Sequence, residues 1–483
     1  MVGEIAIRVA DGYSLTSIRL ARSAAEEREM ALDADQQYVA GLALAAGVQP
    51  EWYDLNPPPL PRFEENPEFT ARVNQYPADP LGALFVWNTA YLKRELCAGN
   101  AAGSLGILSE FYTFDPPRPG PYPIYRHLAN ASPPGWFVSN RFGWRGPDVT
   151  LEKPSGTIRI AFVGASTTVS AYAAPHSHPE FIGYWLNRWA EARGLSVRFE
   201  VINAGRTGID VDSIAAIVEQ EVAPVSPDLV IYYEGANSFP VGKALGPAPD
   251  ASAVPKVEPT VTFRQRWAGE AYLATAARVL TAIDLLTNKS GTEPPKPAHP
   301  TVWPERVNES NPDIAAPLPI DLDRVVQGLD RMRQALAPAG GELATSSFIW
   351  LVHDGMRLDM ERDITIFRYL NEMYWPASYA HMRRMADFQN RVFATYADRH
   401  GLPFFDVARD FPADPRLFGD AIHMREPGLR LLAWIYLQQL VPLIEARIAS
   451  GQWPRQSTFT PDYDPATVKP RLTRRQDLLA NCS

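Results

Sequence analysis

The chain has 483 residues, 46% of them hydrophobic, and a formal net charge of −9 with acidic and basic residues interspersed. That length and apolar content suffice to bury a large core, and the lack of a basic stripe speaks against a nucleic-acid partner. Two cysteines, Cys97 and Cys482, cannot make a disulfide framework or a cysteine-based zinc site. No apolar run reaches about 18 residues, so no transmembrane helix is expected. The stretch from Met1 to Arg22 lacks the basic-then-apolar layout of a signal peptide, which reads as cytoplasmic. A trimmed export signal would leave the same sequence, so an extracytoplasmic location stays open.

In chain order, residues 1–135 read as a mostly helical N-terminal accessory region. Helical spacing runs from Ser14 to Ala34 and from Gln36 to Ala46, and a further helix fits Leu81 to Ala98. From Ile158 the pattern changes. The run Ile158 to Val163 suits a buried parallel strand, with Phe181 to Ala192 as its crossover helix. Val197 to Ile202 and Leu229 to Tyr233 are the next strands, with the helix Ser213 to Val222 between them. A proline-rich insertion, 238–319, then interrupts the alternation and includes one amphipathic stretch, Arg264 to Leu286. A connection that long is usually functional or unstructured, and its root beside the third strand makes it a candidate lid. A helix from Asp321 to Leu336 resumes the pattern. It is followed by a strand Phe348 to Val352, a helix Met382 to His400, a strand Pro403 to Val407 and a closing helix Gly428 to Arg447. Repeated strand–helix units predict an α/β fold: three layers, α/β/α, around a five-stranded parallel flavodoxin-like sheet. The catalytic domain then spans 136–450, and 451–483 is a C-terminal tail.

Four short blocks carry the chemistry. Gly164-Ala165-Ser166-Thr167-Thr168, Asn203-Ala204-Gly205 and Gly235-Ala236-Asn237 follow the first three strands, and Asp420-Ala421-Ile422-His423 precedes the closing helix. Acyl transfer needs an activated hydroxyl, a proton shuttle with an orienting carboxylate, and donors for the developing oxyanion. Ser166 at a helix start is the candidate nucleophile, and His423 and Asp420, three residues apart, are the base and its orienter. The backbone N–H groups of Ser166 and Gly205 and the side-chain amide of Asn237 are candidate oxyanion donors.

In this order the blocks resemble the SGNH (GDSL-type) hydrolase superfamily, over roughly residues 155–445 without the insertion. The resemblance implies the same roles for Ser166, Gly205, Asn237, Asp420 and His423. Ala165 stands where the family has Asp, and Ser238 where it often has Asp after the Asn; neither change removes a catalytic atom. The lead-in Asn140 to Pro147 is similar to segments that precede the sheet in some bacterial relatives. An α/β-hydrolase elbow does not fit, because position 168 is Thr where that motif needs Gly.

The expected activity is that of a serine esterase or deacylase acting on short-chain or acetyl O-acyl esters, including those of carbohydrates. An O-acyltransferase acting on a sugar or polysaccharide would use the same residues, and a non-catalytic binding protein on this fold is the third reading. His176 and His178, beside the nucleophile block, are candidate substrate contacts or parts of a loop without function. Arg206 and Glu234, flanking the oxyanion blocks, are expected either to orient substrate or to form surface salt bridges. No cofactor or metal is expected, since no third ligand joins the two histidines at recognisable spacing, and phosphate-binding glycine fingerprints are absent. Oligomeric state is not legible.

Overall fold

The computed structural model describes residues 2–10, 35–64, 67–73, 75, 80–99, 108–171, 174–239, 278–279, 282–283, 292–293, 307–353, 355–359, 362–374, 377–456 and 460–482. Among these residues the strands, in chain order, are β1 (Thr89–Leu92), β2 (Glu110–Phe114), β3 (Tyr125–His127), β4 (Thr157–Gly164), β5 (Arg198–Asn203), β6 (Leu229–Tyr233), β7 (Thr292–Glu293), β8 (Glu342–Ser346), β9 (Leu358–Asp359), β10 (Phe404–Phe405) and β11 (Arg471–Arg474).

The central sheet is ordered β10-β8-β6-β4-β5, with every neighbouring pair parallel. Every residue of β4 and β6 is buried, as strands covered on both faces require. The helices His178–Ala192 and Glu426–Ala449 pack together in one layer. Val211–Ile217, Leu322–Leu336 and Tyr379–His400 form the other. The expected three-layer arrangement around a five-stranded parallel sheet is therefore the architecture. Three strands of such a sheet end where the sequence blocks begin.

Three sequence expectations need correction. The fourth strand is Glu342–Ser346, not Phe348 to Val352, because that segment pairs in register with β6 from Leu229↔Glu342 to Tyr232↔Thr345. The apolar run Phe348 to Val352 continues past the end of the sheet as buried irregular chain, where the Leu351 N–H donates to the Ala421 carbonyl at 2.8 Å. It is apolar because it packs under the Asp420–His423 turn. Next, the helix expected over Leu81 to Ala98 is split into Pro80–Trp87, the strand β1 and Lys93–Cys97. Pairing overrides propensity here: β1 lies between β2 (parallel) and β3 (antiparallel), and all four of its residues are buried.

The third correction concerns the tail. β11 adds to β2 as an antiparallel fourth strand, and the Thr113 and Thr473 hydroxyls meet at 2.7 Å across that pair. A disulfide joins Cys97 to Cys482 beside it. The two cysteines thus make one bridge, and the tail is built into the N-terminal sheet. The N-terminal segment in turn packs on the helical layer: Tyr53 lies 5.5 Å from Trp434 and 6.3 Å from Trp185, and Trp189 Nε1 donates to the Ala46 carbonyl at 2.9 Å.

The insertion contributes β7, which pairs with β9 in antiparallel register, Thr292↔Asp359. Of the amphipathic stretch Arg264 to Leu286 only 278–279 and 282–283 are described, and they are helical. The rest of that stretch, most of the candidate lid, the aromatics Trp267, Tyr272 and Trp303, and the helical spacing from Ser14 to Ala34 lie outside the described residues. Among the described residues no helix is long and apolar enough to cross a membrane.

Candidate active site

Ser166 opens a four-residue helix, Ser166–Val169, two residues beyond the end of β4. The sharpness of this turn depends on glycine. A Cβ at Gly164 would stand 2.1 Å from the Tyr233 carbonyl oxygen and 2.2 Å from the Thr168 hydroxyl, distances no real side chain occupies. Thr168 Oγ1 donates to that same carbonyl at 2.8 Å and ties the turn to β6. On the other side Asn203 Nδ2 donates to the Thr168 carbonyl at 2.9 Å and to Ser177 Oγ at 3.0 Å. The short helix stops at Ser170, whose φ of 46° is left-handed. The crossover helix starts afresh at His178 behind a Ser177/Glu180 capping box. Ser166 therefore heads its own short turn, separate from the crossover helix.

The Asp420–His423 turn lies just before the closing helix Glu426–Ala449. Asp420 Oδ1 accepts the backbone N–H groups of Ile422 (2.9 Å) and His423 (2.8 Å), which leaves Oδ2 facing His423 Nδ1 at 2.7 Å. His423 Nε2 lies 2.7 Å from Ser166 Oγ. Burial pushes the Asp420 carboxyl up, but its bond to the His423 side chain, that ring's charge and the two backbone donors outweigh burial and hold it below its ordinary range. An ionised Asp420 accepts a hydrogen bond from His423 Nδ1–H and so keeps the proton on that nitrogen. Nε2 of the neutral imidazole is then the acceptor for the Ser166 hydroxyl, the arrangement that general-base activation requires.

The oxyanion side is held by a buried carboxyl. Glu234 is 1% exposed, and its Oε1 accepts the Asn237 backbone N–H at 2.6 Å. Asn237 itself is exposed, and its Nδ2 donates one proton to the Ile209 carbonyl at 2.9 Å. A primary amide carries two such protons, so one remains for a ligand. The Gly205 N–H is donated to Asn203 Oδ1 at a long 3.2 Å. An oxyanion is a stronger acceptor than that neutral amide oxygen. A Cβ at position 205 would meet Val169 N at 2.7 Å, so only glycine allows β5 to approach the nucleophile turn.

Three of the four candidate substrate contacts are corrected by burial. Arg206 is fully buried and paired with Glu221, and it donates to the Tyr125 carbonyl at 2.9 Å. Glu234 points into the protein beneath Asn237. Burial pushes its carboxyl up, so it holds the loop and does not meet solvent. His178 is fully buried among Phe162 (5.2 Å), Tyr233 (5.6 Å) and Tyr436 (5.9 Å), and neither ring nitrogen has a hydrogen-bond partner among the described residues. His176 is half-buried with its ring 5.6 Å from Phe181, and burial moves its imidazole down.

Burial, with Arg145 adding to it, pushes the His178 imidazole down to about 3. His127 is likewise pushed down to about 3, by burial and then by Arg206. Both rings are neutral when folded and take up a proton more readily when unfolded. Their contribution to stability is complete above the unfolded value of about 6.5 and is lost as pH falls from there toward about 3. The urea midpoint should therefore drop steeply between about pH 6.5 and 4. His178→Phe, which keeps a ring among its aromatic neighbours, should show a shallower drop. Equal slopes for variant and wild type would rule out His178 as a source of the acid sensitivity.

Sequence reasoning missed an aromatic series. Phe239, two residues past Asn237, lies 5.5 Å from Trp350, which lies 5.5 Å from Tyr374, which lies 5.5 Å from Tyr369. Burial raises both tyrosine hydroxyls, Tyr374 to about 12, and the Asp420 and Glu234 carboxylates add to it, so this pair lies near both halves of the site. Trp350 was hidden in a run that reads as a strand, and a five-residue spacing of tyrosines carries no signal. Asn203, which binds both the nucleophile turn and Gly205, opens the second block, and nothing in its spacing marks that role. Among the described residues no group of three or more His, Cys, Asp or Glu could hold a metal ion.

No protein-family model matches the chain, and no curated protein matches it. Among solved structures the chain is similar to the acetyl xylan esterase AlAXEase, at 13% identity over 59% of this chain and 100% of that one, with a TM-score of 0.32. It is similar to a variant of Axe2, an acetyl xylan esterase from Geobacillus stearothermophilus, at 15% identity over 60% of this chain and 97% of that one, with a TM-score of 0.33. A GDSL-like lipase from Bacteroides thetaiotaomicron matches at 12% identity over 60% of this chain and 88% of that one, with a TM-score of 0.29.

Proposed function

We propose that the chain is an SGNH-type serine esterase that hydrolyses O-acyl esters, short-chain or acetyl, of an alcohol such as a carbohydrate. Ser166 Oγ attacks the acyl carbon while its proton passes to His423 Nε2, and Asp420 stabilises the imidazolium. The negative charge that collects on the carbonyl oxygen is met by the Ser166 and Gly205 N–H groups and by the free Asn237 amide proton. His423 then protonates the departing alkoxide, leaving the acyl group on Ser166. Water, deprotonated by His423, releases the acid by the same steps. The observation that carries this reading is the continuous chain Ser166–His423–Asp420, with both links at 2.7 Å.

A serine-directed fluorophosphonate tests it. The folded protein should gain one phosphonyl adduct, with loss of fluoride, on the peptide containing Ser166. His423→Ala should not react at a comparable rate. A folded protein that stays unmodified, or an adduct on another residue, would remove Ser166 as nucleophile.

A further inference from the structure

The lead-in Asn140 to Pro147 has no part in the chemistry above, yet it is built around one buried cation. Asn140 Oδ1 accepts the backbone N–H groups of Phe142 (2.9 Å) and Trp144 (3.1 Å), and its Nδ2 donates to the Pro147 carbonyl at 3.0 Å. Gly143 closes the turn at a φ of +75°, where a Cβ would strike the His127 carbonyl oxygen at 2.3 Å. This turn sends Arg145, 2% exposed, beneath the chain that follows Ser166. There the guanidinium binds both ends of the nucleophile loop. Nη1 donates to the Ser170 carbonyl and, at 3.4 Å, to that of Val169, while Nη2 donates to the carbonyls of Ala174 (3.0 Å) and Pro175 (2.9 Å). Nε donates to Glu180 Oε2 at 2.9 Å, and the same oxygen accepts the N–H and hydroxyl of Ser177 at 2.7 Å each. Phe137, three residues before this lead-in, packs against Val169 and Ala171.

We propose that Arg145 is a positioning residue for Ser166. It clamps the loop that leaves the nucleophile helix and so fixes Ser166 Oγ in line with His423 Nε2. It touches neither substrate nor the reacting atoms. Only a planar, five-donor cation can bind four carbonyls and a carboxylate from one position; a lysine ammonium offers three donors from a point. The inference rests on Ser166 being the nucleophile and adds that a residue from outside the sheet sets its geometry.

The test uses the full chain with Arg145→Lys and Asn140→Ala, each checked for folding by circular dichroism. A small displacement of a reacting group costs about 10²-fold in rate. Arg145→Lys should lower kcat on a small activated acetate ester by about that factor with KM little changed. The rate of fluorophosphonate labelling should fall in parallel, since it too begins with attack by Ser166 Oγ assisted by His423. A folded Arg145→Lys variant with wild-type kcat, or with a loss confined to KM, would overturn the proposal. Should Arg145→Lys fail to fold, Asn140→Ala decides, because it loosens the turn that delivers Arg145 and leaves the clamp itself chemically whole. It should lower kcat by about tenfold, and an unchanged kcat would overturn the proposal. Absence of labelling in the wild type would instead remove the nucleophile reading and is distinguishable from either result.

Discussion

Ser166→Ala should lower ester hydrolysis by roughly 10⁴–10⁶-fold while leaving the protein folded. The side chain is only partly buried and its hydroxyl is hydrogen-bonded to His423, so deleting it opens no cavity and strands no core partner. His423→Ala should be about as severe, and the double variant no worse than either single one, because nucleophile and base act as a unit. Asp420→Asn should hurt less. It keeps an acceptor for the two backbone N–H groups but removes the charge that holds the Nδ1 proton. Steady-state rates on an activated acetate ester, with thermal unfolding as the folding control, check the series. Near wild-type turnover in Ser166→Ala would end the esterase reading.

Asn237→Ala should lower kcat by about 10²–10³-fold, the usual cost of one lost oxyanion donor. The loss should appear in kcat more than in KM, since the amide proton meets the oxygen best once charge has developed. Stability should change little: Asn237 is exposed, and its backbone stays bonded to Glu234 after the substitution. Comparing kcat and KM for one neutral ester settles the role. A rise in KM alone would make Asn237 a ground-state contact.

What could be read in the sequence was local and periodic. The run Leu229 to Tyr233 is apolar at every position, and Ile158 to Val163 at every position but Arg159, because both faces of β4 and β6 are covered. The blocks that follow are short enough for their geometry to be set by one glycine or one turn. Gly164 and the Asp420–His423 turn are of that kind. What could not be read came from contacts distant in sequence. β1 is a strand only because β2 and β3 flank it, and β11 finds β2 across some 360 residues, the separation of Thr113 and Thr473. The burial of His178 and Arg206 depends on the rings and carboxylates of other elements, so residues that adjoin the blocks in sequence lie behind them in space. Phe348 to Val352 misled for a related reason: burial at the end of a sheet leaves the same apolar signature as burial within it.

The bridge between Cys97 and Cys482 spans 385 residues of chain, and Ser166, Asn237, Asp420 and His423 all lie inside the ring it closes. A single proteolytic nick within that ring turns one polypeptide into two without releasing either. After a cut in the insertion, one half carries Ser166 and Asn237 and the other carries Asp420 and His423. Nucleophile and base then belong to different polypeptides, and until a reductant reaches the bridge the two halves still travel as one molecule.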